Sequence, residues 1–511
     1  MPSATFGTWD NSYARELGAF CVAWQPKPVA QPRLLHFNRM LAEELGWPTQ
    51  PPTDGTDSER NWADYLSGNL VLPGAQPVAQ AYAGHQFGGF SPQLGDGRAL
   101  LLGEVIDQSG RRRDVAFKGS GPTPFSRRGD GKAAVGPMLR ELLIGEAMHA
   151  LGIPTTRALA VVATGEPVYR EQVLPGAVLT RIASSHLRVG TFQYVAAHHG
   201  DDAVRQLADY AIERHDPDLS HAADRYWQFL RRVAQRQAQL VAQWLNVGFI
   251  HGVMNSDNMT ISGETIDYGP CAFMEAYDPQ AVFSSIDHQG RYAYGNQGPI
   301  AQWNLARLAE TLLPLLHPDP QDALSLAQGA LSDFALWHDQ ALLQGQRRKM
   351  GWLPMAAHEQ VTSDERDRAL VNDWLDMLAS QQVDFTLAWR RLGEATLTPQ
   401  PATLLGLFRD PAPVCDWLAR WHDRLLQEPP SQRRTPQERC LQMQQANPQL
   451  IARNHLVEEA LQAASDQADL APLESLLQAL ADPWTSRPDH DRLIQGAPPE
   501  VTACYRTFCG T

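Results

Sequence analysis

The spacing of apolar residues changes character once along this chain, near residue 200, and that change limits the layer architectures it can adopt. Before it, the short apolar runs Arg98–Asp107, Val115–Lys118, Leu159–Ala163 and Gly176–Ile182 read as strands. The polar stretch Gln108–Asp114 joins the first two as a hairpin. Among them Pro137–Leu151 reads as a helix. Its apolar positions are Leu139, Leu142, Leu143, Ala147, Ala150 and Leu151, with proline at the start, Gly152 at the end and Pro154 beyond. After residue 200, Asp201–Asn246, Ala301–Leu316 and several segments beyond 364 repeat at helical spacing. A β-rich part followed by a helical part predicts an α+β, two-lobed architecture. The expected divisions are 1–190 for a β-rich lobe with an N-terminal extension, 191–430 for a helical lobe, and 431–511 for a helical extension. The proline-rich stretch Gln427–Glu438 reads as the linker before that extension, which is expected to cover the second lobe.

Charge and cysteine usage narrow the function classes. There are 43 Lys and Arg against 57 Asp and Glu, a formal charge of −14, which argues against general affinity for nucleic acid or anionic membrane. No apolar run approaches the roughly 18 residues that span a bilayer, and Met1–Asp10 shows no secretory pattern. The six cysteines form no CxxC pair. A cytoplasmic enzyme is the expectation.

One segment departs from the acidic balance. Between Arg98 and Arg140 nine basic residues face only Glu104, Asp107, Asp114 and Asp130. Glycine clusters crowd the same region: Gly84-His-Gln-Phe-Gly-Gly89, Gly95-Asp-Gly97, Gly119-Ser-Gly121 and Gly129-Asp-Gly131. Glycine lets backbone N–H groups approach phosphate oxygens, so glycines interleaved with Arg and Lys predict a polyphosphate site. No GxxxxGK[ST] is present, which excludes a P-loop. Val115-Ala-Phe-Lys118 matches the strand whose lysine holds nucleotide phosphates in kinases. The following helix offers Glu141 and Glu146 as partners for Lys118. Helical phase puts Glu146 on the apolar stripe and Glu141 opposite, and the choice stays open.

A second segment carries the chemistry: His251-Gly-Val-Met-Asn-Ser-Asp-Asn258, a turn at Ser262-Gly-Glu264, then Asp267-Tyr-Gly269. Kinase-type catalytic loops read H-x-D-x-x-x-x-N followed by a D-F-G element. His251 and Asn258 fit that spacing, and Asp267 fits the metal aspartate. Two strands around the Ser-Gly turn are expected to aim Asn258 and Asp267 into one cleft. A carboxylate plus an amide carbonyl is the hard-oxygen set that Mg²⁺ prefers. His251 reads as a structural hydrogen-bonding residue. The catalytic-base position holds Val253, which cannot accept a proton. Asp257 is the remaining carboxylate of the loop and becomes the candidate base.

With these pieces in place the chain resembles the selenoprotein O family of pseudokinase-related protein adenylyltransferases. The resemblance rests on Asn11-Ser-Tyr-Ala, Tyr82–Arg98, Thr123–Gly131, Glu146–Arg157, His251–Asn258, Asn447-Pro and Arg453-Asn454. It implies a two-lobed protein-kinase-like fold and a flipped ATP whose α-phosphate faces the acceptor. AMP would pass to Ser, Thr or Tyr hydroxyls of proteins, with release of pyrophosphate. It implies nucleotide contacts at Gly95, Gly97, Arg98, Lys118, Asp130, Gly131, Arg181, Arg188 and Asp267. Asp257 would be the proton acceptor, and Asn258 and Asp267 the ligands of Mg²⁺ or Mn²⁺. From pattern alone Arg181 and Arg188 read as surface arginines on an irregular stretch. Alternatives are UMP transfer from UTP, a kinase-like phosphotransferase, which Val253 argues against, and a nucleotide-binding scaffold. Eukaryotic members carry selenocysteine third from the end, where this chain has Cys509. Some bacterial relatives pair the C-terminal cysteine with one just after the DYG element; here the resemblance would make that a redox-gated Cys271–Cys509 bridge, with two free thiols as the open alternative.

Overall fold

In a computed structural model, the chain is described at residues 6–50, 58–353 and 360–508, with side chains excepted at 58–61 and 360–362. A nine-stranded antiparallel sheet dominates the first part. Its main order is Cys21–Ala23, Val78–Gln80, Ala99–Ile106, Arg112–Lys118, Val173–Ala183, Arg157–Tyr169 and Arg33–Phe37, with two-residue strands at Thr8–Trp9 and Ala133–Ala134 on the side. Alternation along the strands loads both faces. Leu101, Val161 and Leu179 turn toward the helix Val135–Ala150, while Leu100, Leu102, Phe117, Val162 and Val178 pack with Leu41, Trp47 and Trp62 on the other side.

Beyond residue 189 the described chain is mainly helical, interrupted at 249–296 by irregular loops and the short strand pair Phe249–Ile250 and Ala272–Phe273. Val189–His198, Asp201–His215, Arg225–Val247, Gln297–Leu316 and the 30-residue helix Pro320–Lys349 pack around the core that the Val135–Ala150 helix shares. A second core, with Trp352, Trp374, Trp389, Trp417 and Trp421, holds the later helices together. No helix among the described residues is long and apolar enough to cross a membrane.

Several elements differ from the sequence expectation for identifiable reasons. The second strand of the first hairpin starts at Arg112, not Val115, because the tight turn needs only Asp107–Arg111, in which Ser109 N and Arg111 N donate to Asp107 Oδ1 and Gly110 N to its carbonyl. The two expected strands after the helix are one long hairpin, Arg157–Tyr169 with Val173–Ala183. Gly165, Pro167 and Pro175 suggest breaks, yet they fall at a register shift, with the two prolines paired across it. The expected strands around Ser262-Gly263 are isolated bridges instead, Arg188 with Thr260 and Thr155 with Thr265. Thr260 Oγ1 donates to Glu264 O and accepts from Glu264 N, so a side chain closes that turn. The helix Pro320–Lys349 was not anticipated. The extension divides: its helix Pro436–Ala446 packs Met443 into the later helical core as expected, whereas Asn454–Asp466 and Ala471–Leu480 cover the Val135–Ala150 helix of the first part, where Leu456, Val457, Leu473 and Leu476 share its core and Arg140 Nη1 donates to Glu458 (2.8 Å).

Candidate active site

The sheet and the loop 251–269 meet over a cavity of about 610 Å³. Gly95, Gly97, Arg98, Lys118, Asp130, Gly131, Arg181, Arg188, Asp257, Asn258 and Asp267 all line it. Residues separated by up to 172 positions are thus neighbours, because the strands deliver one set and the loop the other. Arg181 lies inside a strand, opposite Ala116, and is 3% exposed, so it is not on an irregular surface stretch. Arg188 precedes the helix Val189–His198, and its guanidinium lies 4.6 Å from the Tyr82 ring centroid. Gly95 has φ +98°, and a Cβ there would approach Phe125 to 2.5 Å.

At the cavity floor three cations converge on two carboxylates. Lys118 Nζ donates to Glu141 Oε2 (2.6 Å) and Asp267 Oδ1 (2.8 Å). Arg181 donates through Nε to Glu141 Oε1 (2.6 Å) and through Nη2 to Asp267 Oδ1 (2.6 Å). Arg188 Nη1 donates to Asp267 Oδ2 (3.0 Å) and to the carbonyl of Asp257 (2.8 Å). Glu141 is therefore the partner of Lys118. Glu146 instead takes Arg157 in a two-pronged pair at 2.6 and 2.7 Å. Burial would push Asp267 up, but Arg181, Lys118 and Arg188 hold it well below the usual carboxylate range. Asp267 also adopts φ +63°, an uncommon conformation for a non-glycine residue. At the rim, Asp130 is held by Arg170 at 2.9 and 3.0 Å.

Asp257 differs from Asp267 in its surroundings. Its Oδ1 is buried with no partner among the described residues, and its Oδ2 accepts only from Gln86 Nε2 (3.3 Å). Burial pushes its carboxyl up to about 6, against the pull of Arg188. Val253 lines the same cavity with no group to accept a proton. His251 sits outside the cavity, buried, with Nε2 2.9 Å from the Ile266 carbonyl, and burial pushes its imidazole down.

The donor set fits a hard divalent cation arriving with phosphate. Asn258 Nδ2 donates to the Val253 carbonyl (3.1 Å), which leaves its amide oxygen as a ligand. No group of three His, Cys, Asp or Glu side chains gathers for a metal among the described residues. Two protein oxygens suit Mg²⁺, which keeps several waters and takes phosphate oxygens. Sequence reasoning passed over Tyr82, Gln86 and Phe125. The glycine-rich block flagged their neighbourhood, but nothing local marked these side chains.

Close to the last described residue, Thr507 reaches the edge of this site. Thr507 pairs with Ser284, and its Oγ1 donates to the Pro270 carbonyl (2.7 Å). Cys271 is buried, its thiol pushed up to about 11 by that burial, so it stays protonated near neutrality. Cys509, its expected partner, lies outside the described residues.

Comparison with known proteins places this geometry in context. The family model "Protein adenylyltransferase SelO" matches residues 8–481. The chain is 57% identical over 504 residues to a protein nucleotidyltransferase YdiU of Cereibacter sphaeroides, covering 98% of this chain and 99% of that one. It is 55% identical over 495 residues to the YdiU of Chromobacterium violaceum (96% and 99% covered), and 52% over 505 residues to that of Rhizobium meliloti (98% and 99% covered).

Proposed function

This chain belongs to the SelO family of protein nucleotidyltransferases, and from that premise we propose that it moves AMP from ATP to Ser, Thr or Tyr hydroxyls of proteins, releasing pyrophosphate. The observation that carries the reading is the pairing of Val253 with Asp257 at one cavity. The usual base position is apolar, and a carboxylate that lines the same cavity stands four residues on. A base displaced along the loop suits an acceptor facing a different phosphorus, which is what a reversed nucleotide in a kinase-like cleft would present.

In this mechanism Lys118, Arg181 and Arg188 receive the triphosphate and offset charge on the departing pyrophosphate. Arg98 lines the same wall. The acceptor hydroxyl oxygen forms a bond to the α-phosphorus, and its proton passes to Asp257. The bond from the α-phosphorus to the α–β bridging oxygen breaks, and pyrophosphate leaves with that electron pair. Asn258 and Asp267 would hold Mg²⁺ or Mn²⁺, which when bound would supply Lewis-acid polarisation of phosphate oxygens.

The test is incubation of the reduced protein with a bacterial lysate, Mg²⁺ and ATP labelled on either the α- or the γ-phosphate. Label transferred to protein only from the α position is the expected result. Transfer from the γ position would mean a kinase, and preferential transfer from α-labelled UTP would reassign the nucleotide. Asp257→Ala is expected to keep nucleotide affinity and lose transfer. Loss of nucleotide affinity in that variant would remove Asp257 as the base.

A further inference from the structure

The hairpin formed by Gly84–Gln86 and Gly89–Ser91 stands on the loop that carries Asp257. Two backbone contacts dock it there. His85 N donates to Ser256 Oγ (2.7 Å), and Phe87 N donates to Asn255 Oδ1 (3.1 Å). Both receiving side chains are themselves anchored. Ser256 Oγ donates to Gln193 Oε1 (2.6 Å), and Tyr292 OH donates to Asn255 Oδ1 (2.6 Å). The hairpin is therefore held without help from the Gln86 side chain, which reaches instead into the cavity and onto Asp257 Oδ2.

The two oxygens of Asp257 are not equivalent. Oδ1 is sealed against Gly84, where a Cβ would come within 2.5 Å of it. Asp257 and Gln86 both line the cavity, and Oδ2 is the oxygen that meets the Gln86 amide there. A carboxylate oxygen has two lone-pair sites, and one N–H from Gln86 leaves the second open. Rotation about the Asp257 side chain would carry Oδ2 away from the cavity unless something held it. Among the described residues the Gln86 amide is the one side chain that does so.

We infer that Gln86 is a positioning residue for the transfer step: its amide fixes Asp257 so that Oδ2 receives the acceptor proton. Gly84 makes the same arrangement possible from behind, by leaving room for Oδ1. The inference rests on the reading of Asp257 as the base. The step it serves is the one already balanced above: the acceptor O–H proton goes to Oδ2 as its oxygen bonds to the α-phosphorus.

The experiment uses the full chain, α-labelled ATP and a bacterial lysate as acceptor. Gln86→Met keeps the length of the side chain and removes the N–H. The expected result is an initial rate at saturating ATP lowered about tenfold, as for loss of one hydrogen bond to a charged group. The concentration of ATP giving half-maximal rate, nucleotide affinity and the melting temperature should stay at wild-type values. Gly84→Ala, which crowds Oδ1 directly, should lower the same rate further while nucleotide binding persists. A Gln86→Met rate equal to wild type overturns the inference. So does a loss shared by nucleotide affinity and melting temperature, which would mark Gln86 as part of the fold. Asp257→Asn run in parallel separates the layers. A wild-type protein that transfers no α-label fails the functional reading and takes the inference with it. An Asp257→Asn protein as active as wild type fails the base assignment. A silent Gln86→Met beside an inactive Asp257→Asn fails only the positioning role.

Discussion

Two buried ion clusters in this molecule use the same residue types with opposite charge balance. At the cavity floor, Lys118, Arg181 and Arg188 surround Glu141 and Asp267, three cations to two carboxylates. In the later helical part, Arg453 alone serves Glu275 and Asp384, one cation to two carboxylates. The first opens onto a cavity. The second ties three elements together, since Arg453 and Asp384 precede helices and Glu275 follows the short strand Ala272–Phe273. Gly496 closes over it, with no room for a side chain beside Glu275. Excess cation facing a cavity is a standing invitation to an anion. A buried carboxyl in excess over its cation is met by a proton, and here that carboxyl is Glu275. Burial accordingly raises Glu275 to about 7, whereas Asp267 is held low.

The largest effect expected from this contrast is on activity. Asp267→Ala should lower transfer by about three orders of magnitude or more, because it removes the carboxylate on which three cations converge and which would hold the proposed metal. Stability should suffer less than from a change in the sealed cluster. Transfer assays beside urea denaturation check both. Arg453→Met should behave oppositely, costing about 3–5 kcal/mol of stability because buried Glu275 and partly buried Asp384 lose their one cation. A cost below about 1 kcal/mol would show that Arg453 is dispensable and break the comparison. Lys118→Met comes next, with transfer falling about a hundredfold. Its stability cost should remain well under that of Arg453→Met, since Arg181 still pairs with Glu141.

The contrast also explains what was legible in the sequence. The cavity cluster announces itself because glycines, basic residues and the 251–269 loop carry spacing that chemistry requires. Lys118, Asn258 and Asp267 could be read from such spacing, and Asp257 from the valine at 253. Arg181 and Arg188 could not, because a strand register and a helix start, not a motif, turn them inward. Helical phase could not settle the choice between Glu141 and Glu146 for a related reason. Phase separates apolar from polar faces, but here the face opposite the stripe is also buried, against the cations. The second cluster was legible only at Arg453, inside the block Arg453-Asn454, since Glu275 and Asp384 are far from it in sequence and each looks like an ordinary surface charge. The strand pattern was visible in outline, yet the long hairpin was cut short because its glycine and prolines mimic an end. The destination of the C-terminal helices depends on which apolar face they meet, and their own periodicity does not name it.

The smallest effect is the most diagnostic of the charge balance. A carboxyl whose folded value lies above its unfolded value binds its proton more tightly in the folded chain. For Glu275 that contribution to stability is complete below about 4.3 and fades as pH rises through about 7. Glu275→Gln cannot titrate, so its stability relative to wild type should climb with pH across that window, by on the order of 1–2 kcal/mol, and level off above it. Urea midpoints for both proteins between pH 5 and 8 read this directly. A difference that stays flat with pH would mean that Arg453 keeps Glu275 ionised throughout. The sealed cluster would then carry its full charge as the cavity cluster does, and the proton would no longer distinguish a site built to hold the fold from one built to receive a nucleotide.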